Sequence, residues 1–324
     1  MQPDRLLAVF LRWAFRKLLE RSDLAVVVLT EGRRRQFLNV SPVSPDDLLN
    51  NMKKHILFLF AVLVLPAWAW AQKTVPASEV LARINRGEAV SYSGVTISGK
   101  LDLTQLQNKT LKPRRDVAAD QDSKEYVSTV TAPLSFSNCT FTGDVLAYFN
   151  PDNVDGVDDL KKLVNRNSKN EVYNTHFAQD VKFENCTFEQ QSAFKYSEFR
   201  GAASFAGSSF KEEAVFKYSK FRGGVSFSQA RFKEDANFKY VKFPEGVNFN
   251  GATFEEEANF KYAHFTEGAD FRKATFAGLA NFKYAHLSDP MKVSGAQFTG
   301  SQDLKYAKLN QKSFSAAALK EMAK

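Results

Sequence analysis

The sequence predicts an all-β solenoid, a parallel β-helix wound from 22-residue coils, and three observations carry that reading. The segments ANFKYVKF (236–243), ANFKYAHF (258–265) and ANFKYAHL (280–287) recur at an interval of 22 residues. From residue 177 to 309 an apolar residue returns at alternating steps of six and five, and 21 of these 25 positions are Phe. Two residues before each centre sits a mostly small residue, among them Ala203, Ala214, Ala236, Ala258 and Ala280.

Each observation constrains the backbone. A step near five fits neither the 3.6 of an α-helix nor a long period-2 strand. It fits a short extended stretch followed by a corner, repeated four times per coil. A centre and the residue two before it lie on the same side of a strand, so both point inward. Extra residues at the six-steps, such as 222–224, 255–257 and 266–268, widen two of the corners, and Gly there tolerates the required angles. The 30 Phe residues, against 10 Tyr and 3 Trp, are then mainly core. Phe194, Phe216, Phe238, Phe260 and Phe282 form one internal column, in coils about 4.8 Å apart. Each buried Phe contributes roughly 1.5–3 kcal/mol relative to exposure, before ordering entropy is deducted.

The small–polar–apolar–x–x unit appears as Ala-Asn-Phe at 236–238, 258–260 and 280–282 and as Ala-Asp-Phe at 269–271. It resembles the pentapeptide-repeat proteins, strongly over 177–309 and weakly over about 95–147. The resemblance implies a right-handed quadrilateral parallel β-helix, in keeping with the general handedness of parallel crossovers. Phe at nearly every centre and the regular six-residue steps depart from the family's Leu-rich five-step pattern and imply a wider coil. Some members of the family resemble DNA in shape and charge and inhibit topoisomerases.

The remaining segments follow in chain order. MKKHILFLFAVLVLPAWAWA, residues 52–71, joins Lys53 and Lys54, an apolar run from Ile56 and Ala69-Trp70-Ala71, which are the parts of a cleavable secretory signal. Residues 1–51 then read either as a spurious upstream extension of a chain starting at Met52, or as a basic cytoplasmic segment ahead of an uncleaved membrane anchor. Both readings export the rest of the chain, to the periplasm, the cell surface or the medium. Residues 72–94 form an N-terminal capping segment with a helix at 78–86, capped by Ser78 and stopped by Gly87, which plugs the open coil. The first coils occupy 95–147, with Ile97 and Leu103 as centres and a polar surface loop at 104–126. An inserted loop spans 148–174. It hints at a calcium site, but with Gly156 at the turn the first and twelfth ligand slots hold Pro151 and Lys162, so it reads as a solvated acidic loop. The main array covers 175–309. Residues 310–324 form a C-terminal helix, starting at Ser313, that caps the far end or pairs with a second copy as a homodimer.

Formal charge is +8, with ten Lys/Arg and six Asp/Glu in residues 1–71 and 34 against 30 in the remainder. That mildly basic remainder argues against both a strong nucleic-acid binder and a DNA mimic, and export argues against a topoisomerase partner. No nucleophile–base pair, metal motif or phosphate-cradling loop stands out, so no catalytic, cofactor or metal residue is assigned, and an enzyme, including a glycan-active β-helix, is disfavoured.

The candidate binding surface is a ladder of Lys195-Tyr196, Lys217-Tyr218, Lys239-Tyr240, Lys261-Tyr262, Lys283-Tyr284 and Lys305-Tyr306, pointing outward at one corner. Cations beside aromatic rings suit an extended anionic or glycan chain, or a protein. The alternative is that duplication copied a stable corner, with acidic residues such as Glu212, Glu234 and Glu256 at the next corner offsetting lysine repulsion. His264 and His286, one coil apart, read as surface neighbours. Cys139 and Cys186, each in NCTF, occupy the small inward slot of adjacent coils. Buried thiols are preferred to a disulfide, because strands about 4.8 Å apart exceed the Cβ separation a bridge favours. The expected function is therefore a non-enzymatic exported β-helical scaffold or binding protein, its ligand unnamed.

Overall fold

Extended pairs of residues, each flanked by a turn, make up almost the whole structure, and most strands are two residues long. The computed structural model describes residues 73–113, 124–151 and 171–324, all within the compact unit Trp70–Lys324. The expected upstream extension (1–51), the signal segment (52–71), residues 114–123 of the first loop and the calcium-like stretch at 152–170 lie outside the described residues.

The strands stack into four parallel sheets, which are the four faces of a quadrilateral β-helix. In the main array the chain visits them in fixed order. The first face carries Phe177, Phe199, Phe221, Phe243 and Phe265; the second, Phe183, Phe205, Phe227, Phe249 and Phe271. The third carries Phe188, Phe210, Phe232, Phe254 and Phe276, and the fourth, Phe194, Phe216, Phe238, Phe260 and Phe282. Register is one coil per strand, so each residue sits over the residue 22 earlier, as Ala236 over Ala214 and under Ala258.

This register creates the core. Every Phe centre from 177 to 276 is at most 1% exposed. Rings stack along each column, from 4.6 Å (Phe177–Phe199) to 5.7 Å (Phe221–Phe243) between centroids. Across columns they meet edge-on, as Phe227 meets Phe238 at 5.2 Å and 80°. Both geometries suit the ring quadrupole. The small slots are filled by Ala214, Ala236, Ala258 and Ala280 on the fourth face, with Ser192 in the coil before them. A larger side chain there would compete with the rings for the interior.

The ends differ from the expectations in detail. Helix α1 is Ala77–Asn85, its N-cap is Pro76, and no side chain caps it; Ser78 lies inside the helix. The preceding strand Thr74–Pro76 pairs with Thr96–Ser98, and that pairing sets where the helix begins. Val80 and Ile84 are buried over the first coil, and Gly87, at φ 71°, ends the helix. The coil starts ahead of the boundary expected at 95, since Val90–Ser93 pairs with Leu134–Ser137 on the second face. At the other end, helix α2 is Ala316–Ala323 with Ser315 capping Ala318 N–H, and so begins after Ser313. Lys312–Ser313 is instead a strand folded back on Lys308–Leu309, covering the last edge of the first face. Phe314 and Leu319 close the core there.

The two interruptions enter at one corner. In the first coil Leu103 is the fourth-face centre and Val130 the first-face centre; in the second, these are Ala147 and Phe177. Residues 104–126 and 148–174 therefore both leave between the fourth and first faces. They are not wholly loop. Thr110–Leu111 pairs antiparallel with Lys124–Val130, and Tyr148–Phe149 with Glu171–Phe177, so each insertion leaves through a hairpin.

Candidate functional site: the tyrosine corner

In later coils the corner between the fourth and first faces carries the Lys-Tyr pairs. After each fourth-face Phe the chain reverses in a tight turn, closed in one coil by Val241 N–H donating to the Phe238 carbonyl at 3.1 Å. Lys239 and Tyr240 are the central residues, and Tyr240 has φ 59°. All six ladder tyrosines are left-handed, with φ between 58° and 65°. Turns needing a left-handed residue at that position normally use Gly or Asn. For an aromatic residue the conformation costs roughly 1–2 kcal/mol.

The corner after the second face makes the same turn with different residues. There the left-handed positions are Asn185, Gly207, Gln229, Gly251, Lys273 and Gly295, and Ala252 N–H closes one such turn on the Phe249 carbonyl at 3.0 Å. One corner has diverged from coil to coil while the other keeps Tyr throughout. Duplication copies both alike, so it does not by itself explain the difference.

The tyrosine rings stack face to face. Successive centroids from Tyr196 to Tyr306 are 4.7–4.8 Å apart. Each stacked pair returns roughly 0.5–1.5 kcal/mol, offsetting part of the backbone cost. Each lysine ammonium lies 5.1–5.8 Å from the centroid of its own Tyr ring, within cation–π range. Asn237, Asn259, Asn281 and Asp303 hold the turn from below by accepting the backbone N–H of the lysine two residues on. At the first rung, Lys195 Nζ also donates to the Tyr148 hydroxyl (3.1 Å), and Tyr148 packs on Tyr196, ending the stack at the second insertion.

A second row, of Lys and His side chains, flanks the tyrosines on the first face. Lys220, Lys242, His264, His286 and Lys308 are in register, two residues after Tyr218 to Tyr306, while the first rung holds Glu198 in the same column, paired with Arg222. The sequence signal is Lys-Tyr-x-Lys/His, present in the five rungs from Lys217 to Lys308 and replaced by Lys-Tyr-Ser-Glu at 195–198. The rings of His264 and His286 stack at 4.8 Å and 2°. Stacked this way they are surface neighbours, and among the described residues no three His, Cys, Asp or Glu side chains are grouped to hold a metal.

Several acidic side chains are paired with other groups. Glu255 pairs with Arg231 at 2.5 Å, Glu189 with Lys211 at 3.0 Å, and Glu198 with Arg222. Glu257 accepts from the Asn281 amide. These carboxylates are thereby engaged with residues other than the ladder lysines. The ladder lysines' charges meet one another: partial burial first, then Lys195 and Lys239, hold the Lys217 ammonium below its ordinary pKa. Burial, and then the adjacent phenols, push Tyr240 up, so its hydroxyl stays a donor at neutral pH.

The array also matches a family description. Pentapeptide repeats (9 copies) match residues 173–218, 194–242 and 238–286. The chain is a pentapeptide-repeat protein. No curated protein and no solved structure matches it. The matched residues hold five of the six rungs, so the tyrosine corner is built almost wholly from pentapeptide repeats.

Inside the pentapeptide-repeat core, Cys139 sits under Cys186, each 1% exposed and each a free thiol. Both thiols donate to backbone carbonyls, Cys139 to Ser137 (3.4 Å) and Tyr92 (3.6 Å), and Cys186 to Phe136 and Glu184 (both 3.4 Å). The neighbouring Cys139 sulfur, and then burial, push the Cys186 thiol up. The column continues as Ser208, Ala230 and Ala252, so these positions serve packing.

Proposed function

We propose that this pentapeptide-repeat β-helix is a non-catalytic, exported scaffold whose tyrosine corner docks an extended anionic partner. The observation that carries the reading is a lysine beside a tyrosine held left-handed at every rung, flanked from the second rung on by a parallel row of Lys and His. Repulsion among stacked ammoniums opposes folding, and an anion laid along them removes it. The DNA-mimic reading draws no support from this surface, because a mimic of DNA needs an acidic stripe. Export rests on the signal-like pattern of residues 52–71. N-terminal sequencing of fractionated cells checks it: a mature chain beginning at Gln72 outside the cytoplasm is expected, and intact cytosolic chain beginning at Met1 overturns it.

Docking is tested by titrating the protein with polygalacturonate, polyphosphate, poly-L-glutamate and neutral dextran at low ionic strength, following tyrosine fluorescence. Binding of at least one polyanion, no response to dextran, and loss of binding in a folded K217E/K239E/K261E variant are expected. Silence with every polyanion overturns the reading.

A further inference from the structure

Resting on that reading, we infer that the partner is a linear acidic polysaccharide with one carboxylate per sugar, lying along the axis of the β-helix over the tyrosine stack. Four features of the corner select this ligand over other polyanions.

The first is straightness. The rungs form a line with five gaps of 4.7–4.8 Å, about 24 Å in all. A duplex carries each phosphate strand around its axis once per roughly 34 Å, so it would touch such a line over a short arc. An extended glycan can follow it throughout.

The second is the occupied ring faces. Tyr218, Tyr240, Tyr262 and Tyr284 are each covered on both sides by ladder neighbours, with interplanar angles of 1–4° from Tyr196 to Tyr284. Single-stranded nucleic acids gain much of their binding from bases stacked on free aromatic faces. Such faces are absent between the rungs. The ring edges and phenol hydroxyls remain, a row of hydrogen-bond donors suited to sugar oxygens and carboxylates.

The third is spacing. One sugar linked through opposite ring carbons advances a chain by about one rung, so successive residues meet equivalent sites without drifting out of phase. A phosphate chain, with shorter links, does not keep step.

The fourth is the double row. In a ribbon-like glycan with a two-fold screw, successive carboxylates point to opposite sides. The ladder lysines lie on one side of the tyrosines, and Lys220, Lys242, His264, His286 and Lys308 on the other. Both sets of carboxylates thus meet Lys or His side chains, while the sugar backbone rides over the phenols.

The test uses galacturonate oligomers of two to ten sugars, their carboxyl-reduced neutral counterparts, and polyphosphate and oligo-dT of matched charge, titrated calorimetrically at fixed salt. Each added galacturonate should lower Kd about threefold up to roughly six sugars and little beyond, as expected for successive exposed ion pairs. Reduced oligomers should not bind. A K220A/K242A variant, which leaves the ladder itself intact, should weaken galacturonate binding about tenfold, in line with two lost ion pairs. Y240F should weaken galacturonate but not polyphosphate. Equal affinity for polyphosphate or oligo-dT, no length dependence, or no effect of K220A/K242A would overturn the glycan assignment while leaving anion docking intact. Failure of every polyanion would sink both.

Discussion

The ring of Tyr240 lies 4.7 Å from that of Tyr262 and 1° from parallel, although each stands on a left-handed backbone that tyrosine ordinarily avoids. Contact between coils therefore works against a local preference, and the two have similar size. Removing the ring while keeping a Cβ should expose the cost. Tyr262→Ala loses two stacking contacts and keeps the strain, whereas Tyr262→Gly loses the contacts and releases it. Chemical denaturation should find the Gly variant more stable than the Ala variant by about 1 kcal/mol. Equal stabilities would mean that the left-handed turn is unstrained.

The core makes a steeper demand. Phe238 is fully buried, stacked on Phe216 and Phe260 and edge-on to Phe227, Phe232 and Phe249. Phe238→Ala should destabilise the protein by about 3–5 kcal/mol, since coils above and below cannot close the hole without breaking register. Phe298→Ala, in the partly exposed last coil, should cost clearly less. A smaller loss at 238 than at 298 in urea melts would contradict a continuous ring stack.

Early coils carry polar residues where later ones carry Ala. Ser192 and Ser197 are buried, and among the described residues neither hydroxyl finds a hydrogen-bond partner. The equivalent slots hold Ala236 and Ala263 further on. Ser192→Ala and Ser197→Ala should each stabilise by about 1 kcal/mol. A loss of stability on thermal denaturation would show that the hydroxyls are satisfied after all.

Acid should loosen the first face. Burial first, then His286 and Lys242, hold the His264 imidazole below its ordinary pKa. The unfolded chain then binds the proton more readily, so this contribution is present above about pH 6.5 and is lost as pH falls through the lowered folded value. Urea midpoints measured from pH 7.5 to 5 should fall, and His264→Gln should flatten part of that fall. A bound polyanion should reverse the sign locally, by favouring the charged ring.

Much of this architecture was readable in advance because it depends on side-chain period alone. A Phe every five or six residues cannot be buried by a helix or a flat strand, so the alternation dictated four inward-facing sides and a 22-residue rise. The ladder was visible for the same reason, since any repeat of 22 becomes a column. The capping helices were legible by composition but misplaced by a residue or more, because pairing of Thr74–Pro76 and Lys312–Ser313 with neighbouring strands decides where each helix begins.

Other features needed the folded chain. Nothing in residue order says that two insertions separated by a full coil leave at the same corner that later carries tyrosine. Which carboxylates neutralise which lysines also depends on the direction in which each corner points, and the acids turned out to serve Arg231, Lys211 and Arg222. Periodicity along a chain determines which residues form columns, because that is a matter of counting. Which columns stand side by side, and whether opposite charges meet across them, depends on how the corners bend in space.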